Sequence, residues 1–152
     1  MNIVWLSSRV LGTDLCSTTQ IHLANGLVSK GHSVDFYSPG KSVANAFNHH
    51  SIERSSRRGF QARSVVKKLH EHIEEINSAD VVLIDWPIFS IANKIKPQVV
   101  LIDRGPPADN GILAMLQWRP WRKAWSKANK GTTVSLAHRK FVIDKTKCAG
   151  ES

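Results

Sequence analysis

Three short and almost unbroken apolar runs constrain this chain more than any other feature: residues 2–7 (Asn-Ile-Val-Trp-Leu-Ser), 81–84 (Val-Val-Leu-Ile) and 98–102 (Gln-Val-Val-Leu-Ile). A strand with one wet face alternates apolar and polar residues. A run that is apolar at nearly every position needs cover on both faces, as in a parallel sheet wrapped by helices. Two of the runs stop on a carboxylate, Asp85 and Asp103, followed by the breakers Trp-Pro and Arg-Gly-Pro-Pro.

Between the runs the period changes to that of a helix. Ser17-Thr-Thr-Gln20 has capping-box spacing, and Ile21, Ala24 and Val28 with Leu23 and Leu27 continue it as an apolar stripe that Lys30-Gly31 closes. A second strand is expected at residues 33–37, stopped by Pro39-Gly40. Residues 41–59 mix Ser, Asn, His and Arg and predict an irregular, mobile excursion, with Val43, Ala44, Ala46, Phe47 and Ile52 as its apolar points. Val65, Leu69, Ile73 and Ile76 then mark one face of a helix starting near Phe60, with Lys67 and Glu71 one turn apart outside. Residues 88–95 predict a short helical connection. Asp109 or Asn110 is expected to cap a helix through Ile112, Leu113 and Leu116 that kinks or restarts at Pro120, and residues 132–136 to form a last strand. Alternating strands and helices predict an α/β fold with a mainly parallel sheet, whose ligands sit beyond the carboxyl ends of the strands.

At 152 residues, with 41% hydrophobic and 22% charged, the chain suits one globular core, expected over residues 1–148 with a frayed tail at 149–152. No apolar run is long enough for a membrane helix, and the first residues lack the pattern of a secretory signal, so a cytoplasmic location is expected. Cys16 and Cys148 have no framework or zinc-ligand spacing and read as reduced bystanders. The net charge of +9 favours anionic partners: nucleic acid, anionic lipid or phosphorylated ligands.

Three loops should open on the rim: residues 7–17, 85–87 and 103–107. With Gly12 as its only glycine, the first carries neither G-x-G-x-x-G nor a G-x-x-x-x-G-K-[ST] phosphate loop, which argues against an ordinary Rossmann dehydrogenase or nucleotide triphosphatase. Gly12 either lets a sugar or phosphate approach the next helix's positive end or merely turns the chain. Asp85 and Asp103 either accept hydrogen bonds from sugar hydroxyls and serve as bases or simply finish strands, and Arg104 either holds an anion or pairs on the surface. The histidine pairs, His49-His50 and His70-x-His72, lack metal-ligand spacing, so no metal is expected, and no G-x-S-x-G elbow marks a hydrolase nucleophile.

The segment from Gln117 to Lys130 places Trp118, Trp121 and Trp125 on one helical face, among Arg119, Arg122, Lys123, Lys127 and Lys130 and with no anion. Two readings stand side by side: the tryptophans pack on the sheet while the cations solvate the outer face, or Trp118, Arg119, Trp121, Arg122, Lys123 and Trp125 contact an anionic membrane surface. A second basic run includes Arg54, Arg57, Arg58, Arg63, Lys67 and Lys68.

The order of Ile3-Val-Trp-Leu-Ser-Ser8, a loop with Gly12, a helix ending Leu27-Val-Ser-Lys-Gly-His-Ser-Val34, and Asp80-Val-Val-Leu-Ile-Asp-Trp86 resembles the amino-terminal domain of GT-B glycosyltransferases, in the group of retaining mannosyl- and glucosyltransferases. Gly131-Thr-Thr-Val-Ser-Leu136 resembles the strand before that family's second domain. The resemblance implies a Rossmann-like three-layer fold and an acceptor-binding role, completed by a carboxy-terminal domain or partner chain that brings a nucleotide-sugar donor. It implies that Ser8, Arg9, Gly12, Thr13, Asp85, Trp86, Asp103 and Arg104 line the cleft, that the acceptor is a glycan or lipid-linked, that docking is peripheral at the inner membrane face, and that the chain alone is inactive. The paired-glutamate signature that contacts the donor is absent from this sequence. The charge alone leaves one other expectation, a non-enzymatic basic module for nucleic acid or anionic lipid.

Overall fold

A computed structural model of the chain describes residues 1–12, 15–41, 46–107 and 111–147, and within these not the side chains of residues 15 and 112–114. Among the described residues six strands form one parallel sheet: β1 (Asn2–Leu6), β2 (Ser33–Ser38), β3 (Asn48–Ser51), β4 (Val81–Asp85), β5 (Gln98–Ile102) and β6 (Lys130–Thr132). Their order across the sheet is β3-β2-β1-β4-β5-β6. The helices are α1 (Leu15–Ser29), α2 (Gln61–Leu69), α3 (Ile73–Asn77), α4 (Ile112–Lys127) and α5 (Leu136–Thr146), with 3-10 turns at His70–His72 and Trp86–Lys94. This is the expected Rossmann-like three-layer arrangement.

The apolar runs become the sheet's centre because each is covered twice. Ile3, Trp5, Val34, Phe36 and Phe47 pack toward Ile21, Ala24, Leu27 and Val28 of α1. On the other face Val4, Leu6, Val82, Ile84, Val99 and Leu101 meet Val65 and Leu69 of α2, Ile76 of α3, Ile88 and Ile91 of the second 3-10 turn, and Ala124 of α4. Gly31 ends α1 at φ 86°, its N–H donating to the Val28 carbonyl while His32 N–H returns to Leu27, the capping that a left-handed glycine permits. Gly131 meets a different demand, since a Cβ there would lie 2.6 Å from Cη2 of the Trp125 ring.

Several expectations are corrected. Gln20 closes no capping box, because α1 begins at Leu15 and the Gln20 side chain turns inward, and Leu23 is 52% exposed rather than part of the buried stripe. Within the excursion, Asn48-His-His-Ser51 pairs in parallel with β2 as the edge strand. Backbone pairing and polar side-chain contacts to β2, such as His49 with Ser38 and His50 with Asp35, order it, so no apolar alternation marks it in sequence. Lys68, not Lys67, reaches Glu71, at 3.3 Å. The last strand is Lys130–Thr132 instead of 132–136, and Leu136 opens α5, whose Ser135 cap accepts from His138 N–H at 3.1 Å.

Pro120 neither ends nor restarts α4, which runs as one helix from Ile112 to Lys127. The donor that proline lacks would have served the carbonyl of Leu116, and both residues lie on the exposed side, where solvent can satisfy it. The proposed caps Asp109 and Asn110, the apolar points Val43 and Ala44, Thr13, Cys148 and the tail at 149–152 lie outside the described residues, as do the side chains of Ile112 and Leu113.

Candidate functional site

The strand order reverses between β1 and β4, so the loops that leave them diverge at the carboxyl edge, where such sheets usually bind ligands in a crevice. Leu6 pairs with Ile84, which sets Ser7 opposite Asp85. The Ser7 hydroxyl donates to Asp85 Oδ2 at 2.6 Å, and Gln20 Nε2 reaches the same carboxylate at 3.1 and 3.2 Å and Ser7 Oγ at 3.2 Å. Ser7, Gln20 and Asp85 are all buried. Arg9 N–H donates to Ser7 Oγ at 3.2 Å, so this knot also bends the first loop.

Burial pushes the Asp85 carboxyl above the ordinary carboxylate range, against the Ser7 hydrogen bond, the nearby Arg104 charge, the Gln20 amide and the Arg9 charge, in falling order. Because its oxygens are engaged inward, Asp85 serves as the floor of the crevice. The candidate binding residues lie around it: Ser8 and Trp86 half-buried, Arg9 and Gly12 exposed. Ser17 Oγ, in the first turn of α1, donates to the Gly12 carbonyl at 3.0 Å and holds that glycine beside the helix's positive end. Arg104 donates through Nη1 to the Cys16 carbonyl, and its Nη2 is buried with no hydrogen-bond partner among the described residues.

Asp103 goes elsewhere. Asp85 pairs with Ile102, one residue before Asp103, and side chains alternate along a strand, so the two carboxylates leave opposite faces of the sheet. Asp103 Oδ2 accepts the indole N–H groups of Trp121 at 2.7 Å and Trp125 at 2.8 Å, Oδ1 accepts Gly105 N–H at 3.0 Å, and His138 Nε2 lies 3.5 Å away. Its side chain is fully buried. It therefore ties β5 to α4 and α5, while the residue after it, Arg104, returns to the α1 side.

The tryptophan stripe divides. Trp121 is fully buried and Trp125 half-buried against the sheet, so for these two the packing reading holds, and Trp118 stands edge-on to Trp121 with ring centroids 5.4 Å apart. Arg119, Arg122 and Lys123 are exposed, beside Met115 at 74% and Leu116 at 66% exposure. Among the described residues no helix is long and apolar enough to cross a membrane.

The histidines are engaged locally: His49 Nε2 meets Ser38 Oγ at 2.9 Å, His50 Nε2 meets Asp35 at 2.8 Å, and His72 Nδ1 meets Glu75 at 3.1 Å. Among the described residues no group of three His, Cys, Asp or Glu side chains is placed to hold a metal ion. Cys16 is a free thiol. Of the expected cleft residues, Ser8, Arg9, Gly12, Asp85, Trp86 and Arg104 gather around the β1–β4 crevice, and Asp103 does not. Sequence reasoning missed Ser7 and Gln20. The legible signal was Gln20 itself, a polar residue one turn before Ala24 on the face that α1 buries.

No protein-family model matches the chain, and no curated protein matches it in sequence. Solved structures do match in shape. WaaG, a glycosyltransferase involved in lipopolysaccharide biosynthesis, superposes with a TM-score of 0.69 at 11% identity over 97% of this chain and 42% of its own. A putative UDP-N-acetylglucosamine 2-epimerase from Listeria monocytogenes gives 0.63 at 9% identity over 97% and 43%, and MurG from Acinetobacter baumannii 0.58 at 11% over 90% and 42%. The chain thus spans less than half the length of these neighbours and shares with them a Rossmann-like α/β fold.

Proposed function

We propose that the chain is the acceptor-binding, amino-terminal-type domain of a GT-B glycosyltransferase of the retaining mannosyl- or glucosyltransferase kind. A carboxy-terminal domain or partner chain brings the nucleotide-sugar donor, and a glycan or lipid-linked acceptor lies in the crevice between the two. The observation that carries this reading is the knot of Ser7, Asp85 and Gln20 at the strand-order reversal, with Arg9, Gly12, Trp86 and Arg104 around it, in a domain that matches 42% of a glycosyltransferase. Arginine forks suit the hydroxyl- and phosphate-rich ligands of such enzymes, and the charges of Arg104 and Arg9 both reach the buried Asp85 beneath the site.

The exposed Met115 and Leu116 beside Arg119, Arg122 and Lys123 support peripheral docking on an anionic, cytoplasm-facing membrane. Mixed alone with UDP-glucose or GDP-mannose and glycan acceptors, the chain should transfer no sugar, and transfer should appear when a donor-binding half is added. Full turnover by the chain alone would overturn the reading. The epimerase neighbour supports a second one, half of a sugar-nucleotide epimerase, which acceptor-independent epimerisation of UDP-N-acetylglucosamine by the completed protein would favour. Salt-sensitive binding of random oligonucleotides without any glycan preference would favour the basic module instead.

A further inference from the structure

A concavity of about 590 Å³ opens beside α2 and is lined by Arg57, Phe60, Arg63, Val66, Lys67 and His70, among others. It starts near the rim, where Arg54 Nη1 donates to the Ser8 carbonyl at 3.4 Å and ties this loop to the first one. The loop is itself built: Ser55 N–H donates to Ser64 Oγ at 2.8 Å, Arg57 N–H to Ser55 Oγ at 3.2 Å, and Phe60 N–H to the Arg57 carbonyl at 3.2 Å. Phe60 is thereby held 46% exposed, with the Arg57 guanidinium 4.8 Å from its ring centroid.

Charge is the decisive feature. The nearby carboxylates Glu53 and Glu71 both face Lys68, at 3.9 and 3.3 Å. Among the described residues no carboxylate pairs with Arg57, Arg63 or Lys67, and a concave wall focuses the field of three unneutralised cations. A single carboxylate would answer one of them. A phosphomonoester carries about −1.5 to −2 at neutral pH and three acceptor oxygens, a charge and acceptor number that several cations lining one concavity can answer together. The Phe60 ring beside them offers an apolar face on which a pyranose can lie.

We propose that this groove binds the phosphoryl group of a phosphorylated sugar, so that the acceptor class is a phosphomonoester-bearing carbohydrate. The proposal rests on the acceptor-side reading above. It is tested by titrating the isotopically labelled full chain at fixed ionic strength with glucose, glucose 6-phosphate and inorganic phosphate, following the amide resonances of residues 55–70. Glucose 6-phosphate should move them saturably and glucose should not. Arg63→Glu with Lys67→Glu should weaken that binding by about tenfold or more, the scale of losing charge-assisted hydrogen bonds. Both residues are exposed, so the melting temperature should hold. Phe60→Ala should weaken glucose 6-phosphate binding and leave inorganic phosphate alone.

Equal responses to glucose and its phosphate, or an unchanged affinity in the charge-reversed protein, would overturn the proposal. So would tighter capture of a single-stranded oligonucleotide in the same groove. Vesicles containing phosphatidic acid separate the two sources of a phosphomonoester: binding that needs Arg63 and Lys67 but resists competition by glucose 6-phosphate assigns the groove to a lipid headgroup and removes the carbohydrate. The two readings fail separately. Neutral glycans that bind the crevice while phosphate adds nothing sink only the groove, and sugar-phosphate binding without transfer after adding a donor half sinks only the transferase.

Discussion

Asp85→Ala tests the knot under the crevice. The substitution leaves the Ser7 hydroxyl and the Gln20 amide, both buried, without the acceptor they share at 2.6 Å and 3.1 Å. An unsatisfied buried donor costs about 1–3 kcal/mol. The loss is cushioned, since Gln20 still reaches Ser7 Oγ at 3.2 Å and the variant no longer buries a carboxylate. A net destabilisation of about 2–3 kcal/mol follows, which for a domain of this size lowers the melting temperature by about 5–10 °C. The pH dependence supplies a sign. Burial raises the Asp85 pKa in the folded state, so between the ordinary carboxylate value and the raised one the folded chain keeps a proton that the unfolded chain releases, and stability falls as pH rises through that window. Alanine removes this slope, so the cost of the substitution should be larger at the acidic end of the window and shrink as pH rises. Differential scanning calorimetry of both proteins across the window reads the melting shift and its pH trend. A shift under about 2 °C would refute the hydrogen-bond reasoning, and a cost that grows with pH would refute the burial argument.

Asp103→Ala strands three donors, from Trp121, Trp125 and Gly105, and should cost about 3 kcal/mol, moving the urea midpoint by about 1–2 M as read by tryptophan fluorescence; a shift near zero would show that the carboxylate does not hold α4 to β5. Replacing Arg119, Arg122 and Lys123 together by glutamate should weaken association with phosphatidylglycerol vesicles by at least about a hundredfold, from about 1 kcal/mol per basic residue at an anionic surface. Undiminished co-sedimentation of that variant would rule out this face of α4 as the docking face.

The lesson about legibility lies in particular residues. The apolar runs at β1, β4 and β5 announced a doubly covered parallel sheet because hydrophobic burial is written locally, residue by residue. The edge strand Asn48–Ser51 was illegible, since it is held by backbone hydrogen bonds on one side and by polar contacts such as His50 with Asp35, neither of which leaves an apolar alternation. Pro120 misled for a related reason: its cost depends on whether the orphaned carbonyl faces solvent, and only the packing of α4 decides that.

The sequence by itself determined the layering, pointed to the carboxyl rim as the candidate site, and marked most of the residues that gather there, because strand and helix periods, glycine and proline stops and strand-end polar residues are properties of neighbours in the chain. Only the tertiary structure decided that Asp85 and Asp103 leave opposite faces of the sheet, that Gln20 forsakes its own helix end for Asp85, and that Trp121 serves a buried carboxylate. Each of those depends on pairing register between segments many residues apart, and a shift of one residue in that register would exchange the two faces.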